Sequence, residues 1–544
     1  MRGLAATRQW SAWTLPLALI VGITLWRLAI AALVPVTKDE AYYFDWARHL
    51  AWGYFDHPPG VALLGLGTWL EPASALAARL GAIGAGALTL LLLWRFYRRC
   101  GLRRIDGLLL AVLLVAATPA GLVSGIITTP DTVLALCWAF ALHEAAAALD
   151  GDRRRWLSAG IATGLGLLGK YTMLVIGPVF LWALLRADPK ALRTPWPYLG
   201  GVLALLVFLP NILWNAQHDW LTMRFQLGHG FSTETGPITL PGETLPAPTE
   251  GQPSAGQVQL EQPRALTERL ASLGAYLGGQ LAFWGLLVIP MAAALLSHGG
   301  LRRIRADLSA RLTPAGRALL GAGTLVPLFL FAAVAWISEV EANWSAMYLA
   351  AAAPLVAVAV RPLRTWVIAA AGLNLLLVSL YALHAATGAL PLPNAAERII
   401  RETQGYQDLS AHARDLPGPV FADRYQITGM LNFYQPGLGA GQWPGITRPS
   451  EYLLGRITPI PAVASLRESG FTLITRRYRA PAIPGFVVAD AQTVIHCVGK
   501  PISVLADAPG QDAAPCADPA RQWRIYHYRG SDDSARAAIV DSPR

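Results

Sequence analysis

Of 544 residues, 54% are hydrophobic and only 14% charged, and a mean hydropathy of +0.40 is more apolar surface than one soluble core absorbs. The composition excludes a soluble enzyme and predicts a polytopic membrane protein. The formal net charge of +10 does not imply a nucleic-acid partner, because most Arg residues stand in short clusters between apolar runs, the pattern that sets topology.

Taking apolar runs of about 17 to 24 residues as spans predicts helices near 12–34, 74–97, 106–123, 131–149, 157–169, 171–186, 197–214, 273–296, 318–337, 346–360 and 365–386. That is roughly eleven helices, of which 157–169 and 171–186 are short and meet at Gly169-Lys170-Tyr171. Basic clusters fall in alternate loops, among them Arg98 with Arg99, Arg153 to Arg155, Arg302 with Arg303, and Arg361 with Arg364. Positive loops stay in the cytoplasm. The N-terminus is therefore expected inside, with the first loop (35–73), the loop 216–272 and everything after 388 outside. The first apolar stretch is longer than a signal peptide's and reads as a retained span.

Two domains are expected, a transmembrane unit over 1–387 and an extracytoplasmic one over 388–544. The second alternates β-type runs such as Phe471-Thr-Leu-Ile-Thr and Trp523-Arg-Ile-Tyr-His-Tyr with helical stretches near 395–414 and 424–435, which predicts a mixed α/β fold. Residues 229–263, rich in Pro, Gly, Thr and Ser, offer little apolar area to offset chain ordering and read as a flexible outer insert. Cys497 and Cys516 share the exported tail, where a structural disulfide can form.

Chemistry concentrates in the first outer loop, in Thr37-Lys-Asp-Glu-Ala-Tyr-Tyr-Phe-Asp-Trp-Ala-Arg followed by Trp52-Gly-Tyr-Phe-Asp-His-Pro-Pro-Gly. Ala41, Phe44, Trp46, Ala47 and Leu50 recur at helical spacing, so the segment reads as an amphipathic helix lying along the interface. Asp39 opens that helix, and a bare N-cap is the plain alternative to a catalytic acid. Its neighbours favour chemistry. Pro58-Pro59 makes a rigid turn that presents Asp56 and His57, and Asp131 supplies an acid at a second outer loop. Moving a sugar from a lipid phosphate to a hydroxyl needs a carboxylate base and cationic or hydrogen-bonding groups on the leaving phosphate. Lys170, Tyr171, His218 and Arg224 are candidates for the second task, against snorkelling for Lys170 and a place in an aromatic collar for His218. Glu339, Glu341, Asn343 and Trp344 form a further polar outer turn. Gly164-Leu-Gly-Leu-Leu-Gly169-Lys170 is no phosphate-binding loop, since Tyr171 replaces the required Ser or Thr and no strand precedes it.

Asp39-Glu40, Tyr54-Phe-Asp-His-Pro-Pro-Gly, Thr129-Pro-Asp131, Gly169-Lys-Tyr-Thr and Pro210-Asn-Ile-Leu-Trp-Asn-Ala-Gln-His-Asp-Trp together resemble the bacterial glycosyltransferase family 39 and aminoarabinose-transferase-like enzymes. The resemblance covers about 1–360. It implies a mainly α, GT-C type helical bundle, a lipid-linked sugar donor of the undecaprenyl phosphate type and a lipid, glycan or protein acceptor at the bacterial inner membrane. It further implies catalytic roles for Asp39, Glu40 and Asp131. Where aminoarabinose transferases carry an acid followed by Lys before the two prolines, this chain has Asp56-His57, and a neutral imidazole donates a hydrogen bond without a full charge.

No cofactor is expected. Asp39, Glu40, Asp56, His57 and Asp131 are an oxygen-rich set that suits Mg or Mn, but no ligand spacing is diagnostic and a metal is not expected to be essential. A transporter or flippase would set its charges at mid-helix, near the bilayer midplane. A sensor would tolerate Asp39→Asn.

Overall fold

The computed structural model describes residues 2–231, 245–249, 265–390, 392, 397–506, 515–516 and 519–531. Its first part is a helical bundle. Among the described residues eight helices are long and apolar enough to cross a membrane: Trp13–Leu33, Ala75–Arg99, Pro130–Leu149, Trp196–Gln217, Leu266–Leu296, Pro314–Ile337, Ala342–Ala359 and Arg361–Thr387. The shorter helices Ile105–Ala117, Arg155–Leu167 and Ile176–Ala187 complete the set of predicted spans. The span expected at 106–123 is divided, because Pro119 cannot continue the first segment and Thr118 caps the second, accepting from the Gly121 N–H at 2.9 Å. Leu266–Leu296 bends at Gly285, whose φ of 57° needs a residue without Cβ.

Leu205, Leu206, Leu209 and Leu213 are exposed on Trp196–Gln217, the face that hydrocarbon covers in a bilayer. The opposite face meets Arg155–Leu167 at backbone distance. A Cβ on Gly160 would lie 2.0 Å from the Gly200 carbonyl oxygen, the small-residue contact by which helices pack without a hydrophobic drive between them.

The second part is a six-stranded sheet with helices. Its strands are β1 (Val420–Ala422), β2 (Gly441–Gln442), β3 (Phe471–Thr475), β4 (Phe486–His496), β5 (Ser503–Ala506) and β6 (Arg521–Gly530), in the order β2-β1-β3-β6-β4-β5. β1 runs parallel to β2 and β3, while β3, β6, β4 and β5 pair antiparallel. The helices Arg398–Thr403, Tyr406–Ala413 and Tyr425–Tyr434 lie within the stretches expected from sequence. Cys497 and Cys516 are joined in a disulfide. Most of the insert at 229–263 lies outside the described residues. The described piece 245–249 packs on the sheet unit, where Leu245 is buried and the Trp443 indole donates to the Pro246 carbonyl at 3.1 Å.

The first-loop helix, Lys38–Arg48, corrects one expectation. It does not lie along an interface with a polar side to water; Glu40, Ala41, Tyr42, Phe44, Asp45, Trp46 and Ala47 are all buried. The helix Tyr425–Tyr434 covers it so closely that a Cβ on Gly429 would lie 2.9 Å from the Tyr42 nitrogen. Asp45, buried in the same helix, accepts from Asn432 Nδ2 at 3.0 Å and the Tyr452 hydroxyl at 2.7 Å. Helical spacing alone did not reveal that both faces have partners.

Candidate functional site

The start of the first-loop helix determines what Asp39 is free to do. Thr37, not Asp39, is the N-cap. The Thr37 hydroxyl accepts from the Glu40 N–H at 3.4 Å while the Glu40 carboxylate accepts from the Thr37 N–H at 3.0 Å, a reciprocal capping box. Thr37→Ala is expected to lower stability by about 1 kcal/mol, read as a shift in thermal unfolding.

With the cap supplied elsewhere, the Asp39 carboxylate is left facing outward. It accepts from the Tyr425 hydroxyl at 3.2 Å and keeps solvent-accessible surface although protein surrounds it. Desolvation raises its pKa above the ordinary carboxylate value, and Glu402 and Asp56 push the same way. The Tyr425 hydrogen bond and the Arg448 charge oppose the rise.

Glu40 corrects a second expectation. It is fully buried and bound on both oxygens by Arg79, at 2.8 Å from Nε and 2.6 Å from Nη2. Arg79 also donates to the carbonyls of Ala31, Val34 and Pro35. Glu40 accepts in addition from the Thr128 N–H at 3.0 Å. This carboxylate is committed to holding the end of the first span, the start of the first-loop helix and the turn before Asp131 together. Asp39 and Asp131 are thereby pinned to the same end of the bundle.

Asp131 lies in the first turn of Pro130–Leu149, where the helix dipole favours a carboxylate. Lys170 Nζ pairs with it at 2.8 Å, and Asn343 Nδ2, from the polar turn 339–344, donates to its other oxygen at 3.0 Å. Lys170 does not snorkel outward; it is buried against this acid.

Asp56 is the third acid to acquire a cation, and the partner comes from far along the chain. Arg448 Nη1 meets Asp56 Oδ1 at 2.6 Å, and the Tyr42 hydroxyl donates to Oδ2 at 2.6 Å. The Arg448 guanidinium lies 4.2 Å from the Tyr425 ring centroid and 5.2 Å from that of Phe225, a double cation–π seat. Burial works against its charge, but Asp56, Tyr425 and Tyr42 outweigh that and raise its pKa. Beside this pair, the Phe55 N–H donates to Glu451 at 2.7 Å. Burial pushes the Glu451 carboxyl up to about 7, with Arg456 pulling the other way. His57 is half-buried, and the Gln226 side-chain nitrogen lies 3.3 Å from its Nδ1 and 2.5 Å from the Asp56 carbonyl oxygen.

Two further candidates are occupied by the fold. The Tyr171 hydroxyl donates to Asn211 Oδ1 at 2.9 Å and accepts from Asn215 Nδ2 at 3.2 Å, and Asn211 in turn donates to the Trp52 carbonyl at 2.7 Å. That network fastens the first loop to Trp196–Gln217, so Tyr171 is not presented to a substrate. His218 stacks on Trp214 with ring centroids 4.1 Å apart, and its Nδ1 lies 2.8 Å from the Trp214 carbonyl at the helix end. Arg224 sits on the adjoining helix, Leu221–Phe231, half-buried. The five-residue oxygen set does not converge on one cation, since Glu40 pairs with Arg79, Asp56 with Arg448 and Asp131 with Lys170. No group of three or more His, Cys, Asp or Glu is placed to hold a metal among the described residues.

The site therefore combines an acid open to solvent, the Asp56–Arg448 pair that acts on it, the Asp131–Lys170 pair at the same end of the bundle, and a lid of Tyr425 and Arg448 from the sheet unit. The same assembly of bundle and covering domain occurs in a crystal structure of ArnT from Cupriavidus metallidurans bound to undecaprenyl phosphate. The superposition has a TM-score of 0.59 at 15% identity and covers 91% of this chain and 99% of that one. The chain has the fold of ArnT. The apo form of the ArnT enzyme matches over 99% of this chain and 100% of that one, with a TM-score of 0.57 at 13% identity. Residues 56–214 match the family described as dolichyl-phosphate-mannose-protein mannosyltransferase. The lipid A galacturonosyltransferase RgtD of Rhizobium johnstonii is 30% identical over 217 residues, 38% of this chain and 45% of that protein. The match thus spans less than half the length of that curated relative. With the ArnT fold, the apolar helices make this a multi-pass membrane protein.

Proposed function

We propose that this ArnT-like chain is a membrane glycosyltransferase that moves a hexose or pentose from a polyprenyl-phosphate donor to a lipid, glycan or protein acceptor. It works at the outer face of a bacterial inner membrane, with its N-terminus in the cytoplasm and the sheet unit in the periplasm. The observation that carries the reading is the contrast among the acids. Glu40, Asp56 and Asp131 are each paired with a cation, whereas among the described residues Asp39 faces solvent and is met by a tyrosine hydroxyl.

In the reaction Asp39 takes the proton of the acceptor hydroxyl as its oxygen attacks the anomeric carbon. The bond from that carbon to the phosphate oxygen breaks, and its electron pair leaves with the polyprenyl phosphate. Direct displacement inverts the anomeric centre. Arg448, whose charge acts on Asp39, is the cation offered to a leaving phosphate, with His57 near its partner Asp56 as a hydrogen-bond donor. Arg448 supplies a full positive charge beside the Asp56-His57 pair. Asp131 with Lys170, and Arg224 nearby, shape the entrance for donor or acceptor. A lipid acceptor is supported by the relative named for lipid A, and the donor by the undecaprenyl phosphate named with the ArnT structure.

The test is transfer from radiolabelled polyprenyl-phosphate sugars to a membrane extract by purified protein. Arg448→Gln is expected to lower turnover about 100-fold. Arg448→Lys is expected to fall between Gln and wild type, because an ammonium keeps the charge but loses the planar fork. Equal activity in all three proteins would remove Arg448 from the site, and no transfer from any donor by wild type would remove the enzymatic reading.

A further inference from the structure

Arg27, on the first membrane helix, has no role in the chemistry above and lies buried inside the bundle. It is 2% exposed. Nη2 donates to the Gly121 carbonyl at 2.6 Å, but Nε and Nη1 have no partner among the described residues. An arginine inside a membrane span that lacks acceptors is strongly unfavourable unless something compensates its charge.

The surroundings are built to admit it. A Cβ on Gly125 would lie 2.3 Å from the guanidinium carbon, and one on Gly86 would lie 2.6 Å from Nη1, so both positions must stay glycine for the arginine to lie there. Arg27 lines a cavity of about 110 Å³, on the order of the ~150 Å³ void that accepts a benzene ring. Thr89, Ser124 and Asp131 contribute polar groups to the lining, and Leu93 and Trp138 apolar ones. Such a space suits one small anionic head with the first carbons of an apolar chain. It does not suit a glycan.

We propose that this cavity binds the phosphate head of a membrane lipid, with Arg27 donating its unshared N–H groups to the phosphate oxygens. A phosphate is the common anionic head inside a bilayer, and guanidinium-to-phosphate hydrogen bonds are among the strongest a side chain makes. The lipid is either a structural phospholipid or an isoprenoid phosphate, since both present the same oxygens. Arg448 does not line this cavity, although Asp131 of the proposed entrance does, and the inference rests on no assumption about sugar transfer.

Native mass spectrometry on the delipidated full-length protein tests it, with phosphatidylglycerol, undecaprenyl phosphate, undecaprenol and inorganic phosphate as separate probes. Wild type is expected to retain one phosphate-bearing lipid. Arg27→Gln is expected to weaken that binding at least tenfold and to leave undecaprenol unchanged. Gly125→Val keeps the charge but displaces the guanidinium, and is expected to give the same loss. Whichever lipid shows the Arg27 dependence names the source. Binding of both lipids at wild-type strength by Arg27→Gln and Gly125→Val overturns the proposal, as does an Arg27 dependence confined to inorganic phosphate. Asp39→Asn is expected to bind the lipid as wild type does, which separates this outcome from the fate of the transfer reaction.

Discussion

Asp39→Asn is expected to abolish measurable sugar transfer, with a fall of about 10²–10⁴-fold, the range contributed by a positioned general base. The amide keeps the size of the carboxylate and can still meet the Tyr425 hydroxyl, so folding and donor binding should survive. The pH profile gives an independent check. Desolvation, Glu402 and Asp56 raise the Asp39 pKa, opposed by Tyr425 and Arg448, and Lys38 is the adjacent cation on the same helix. A base works only when deprotonated, so kcat/KM should climb as pH rises through that elevated value and then level off. The mutant should lack this limb. The same shift acts on stability with the opposite sign. A carboxyl whose folded pKa exceeds its unfolded one favours folding most at low pH, and its contribution is lost as pH rises through the folded value. A mutant with the wild-type rate and the wild-type acid limb would remove Asp39 as the base.

Arg79→Met should have the largest effect on folding. It leaves Glu40 buried with no counter-charge, and it strips the carbonyls of Ala31, Val34 and Pro35 of their donor. Breaking such a pair from one side costs about 3–5 kcal/mol, measurable by thermal or denaturant unfolding in detergent. Because Glu40 also receives the Thr128 N–H, the loss should loosen the relation between the first loop and the turn of Asp131, and turnover should fall with stability. In a double-mutant cycle, Glu40→Gln and Arg79→Met should be strongly non-additive, since each removes the same interaction. A single-mutant cost below about 1 kcal/mol, the level of an exposed pair, would show that Glu40 does not anchor the loop.

Class, spans and the region of chemistry were legible in the sequence because each is carried by a local signal. Apolar runs set the helices, and the helical and β-type runs after 388 set a mixed unit. The acids of the first loop stood out because they cluster with aromatic and prolyl residues directly after the first apolar run. Roles within that region were not legible. Asp39 and Glu40 are adjacent and chemically alike, yet one faces solvent and the other is sealed by Arg79, 39 positions along the chain. Tyr171 and His218 lie in the expected region but are turned into an asparagine network and a tryptophan stack.

By itself the sequence determined that this chain crosses a membrane many times and gathers carboxylates beside its first span, because periodicity, length and hydropathy act over neighbouring residues. Only the tertiary structure decided which carboxylate stays open. Asp56 receives its cation from Arg448, 392 positions away, when the sheet unit closes over the first-loop helix, and no local pattern encodes a contact made across that distance.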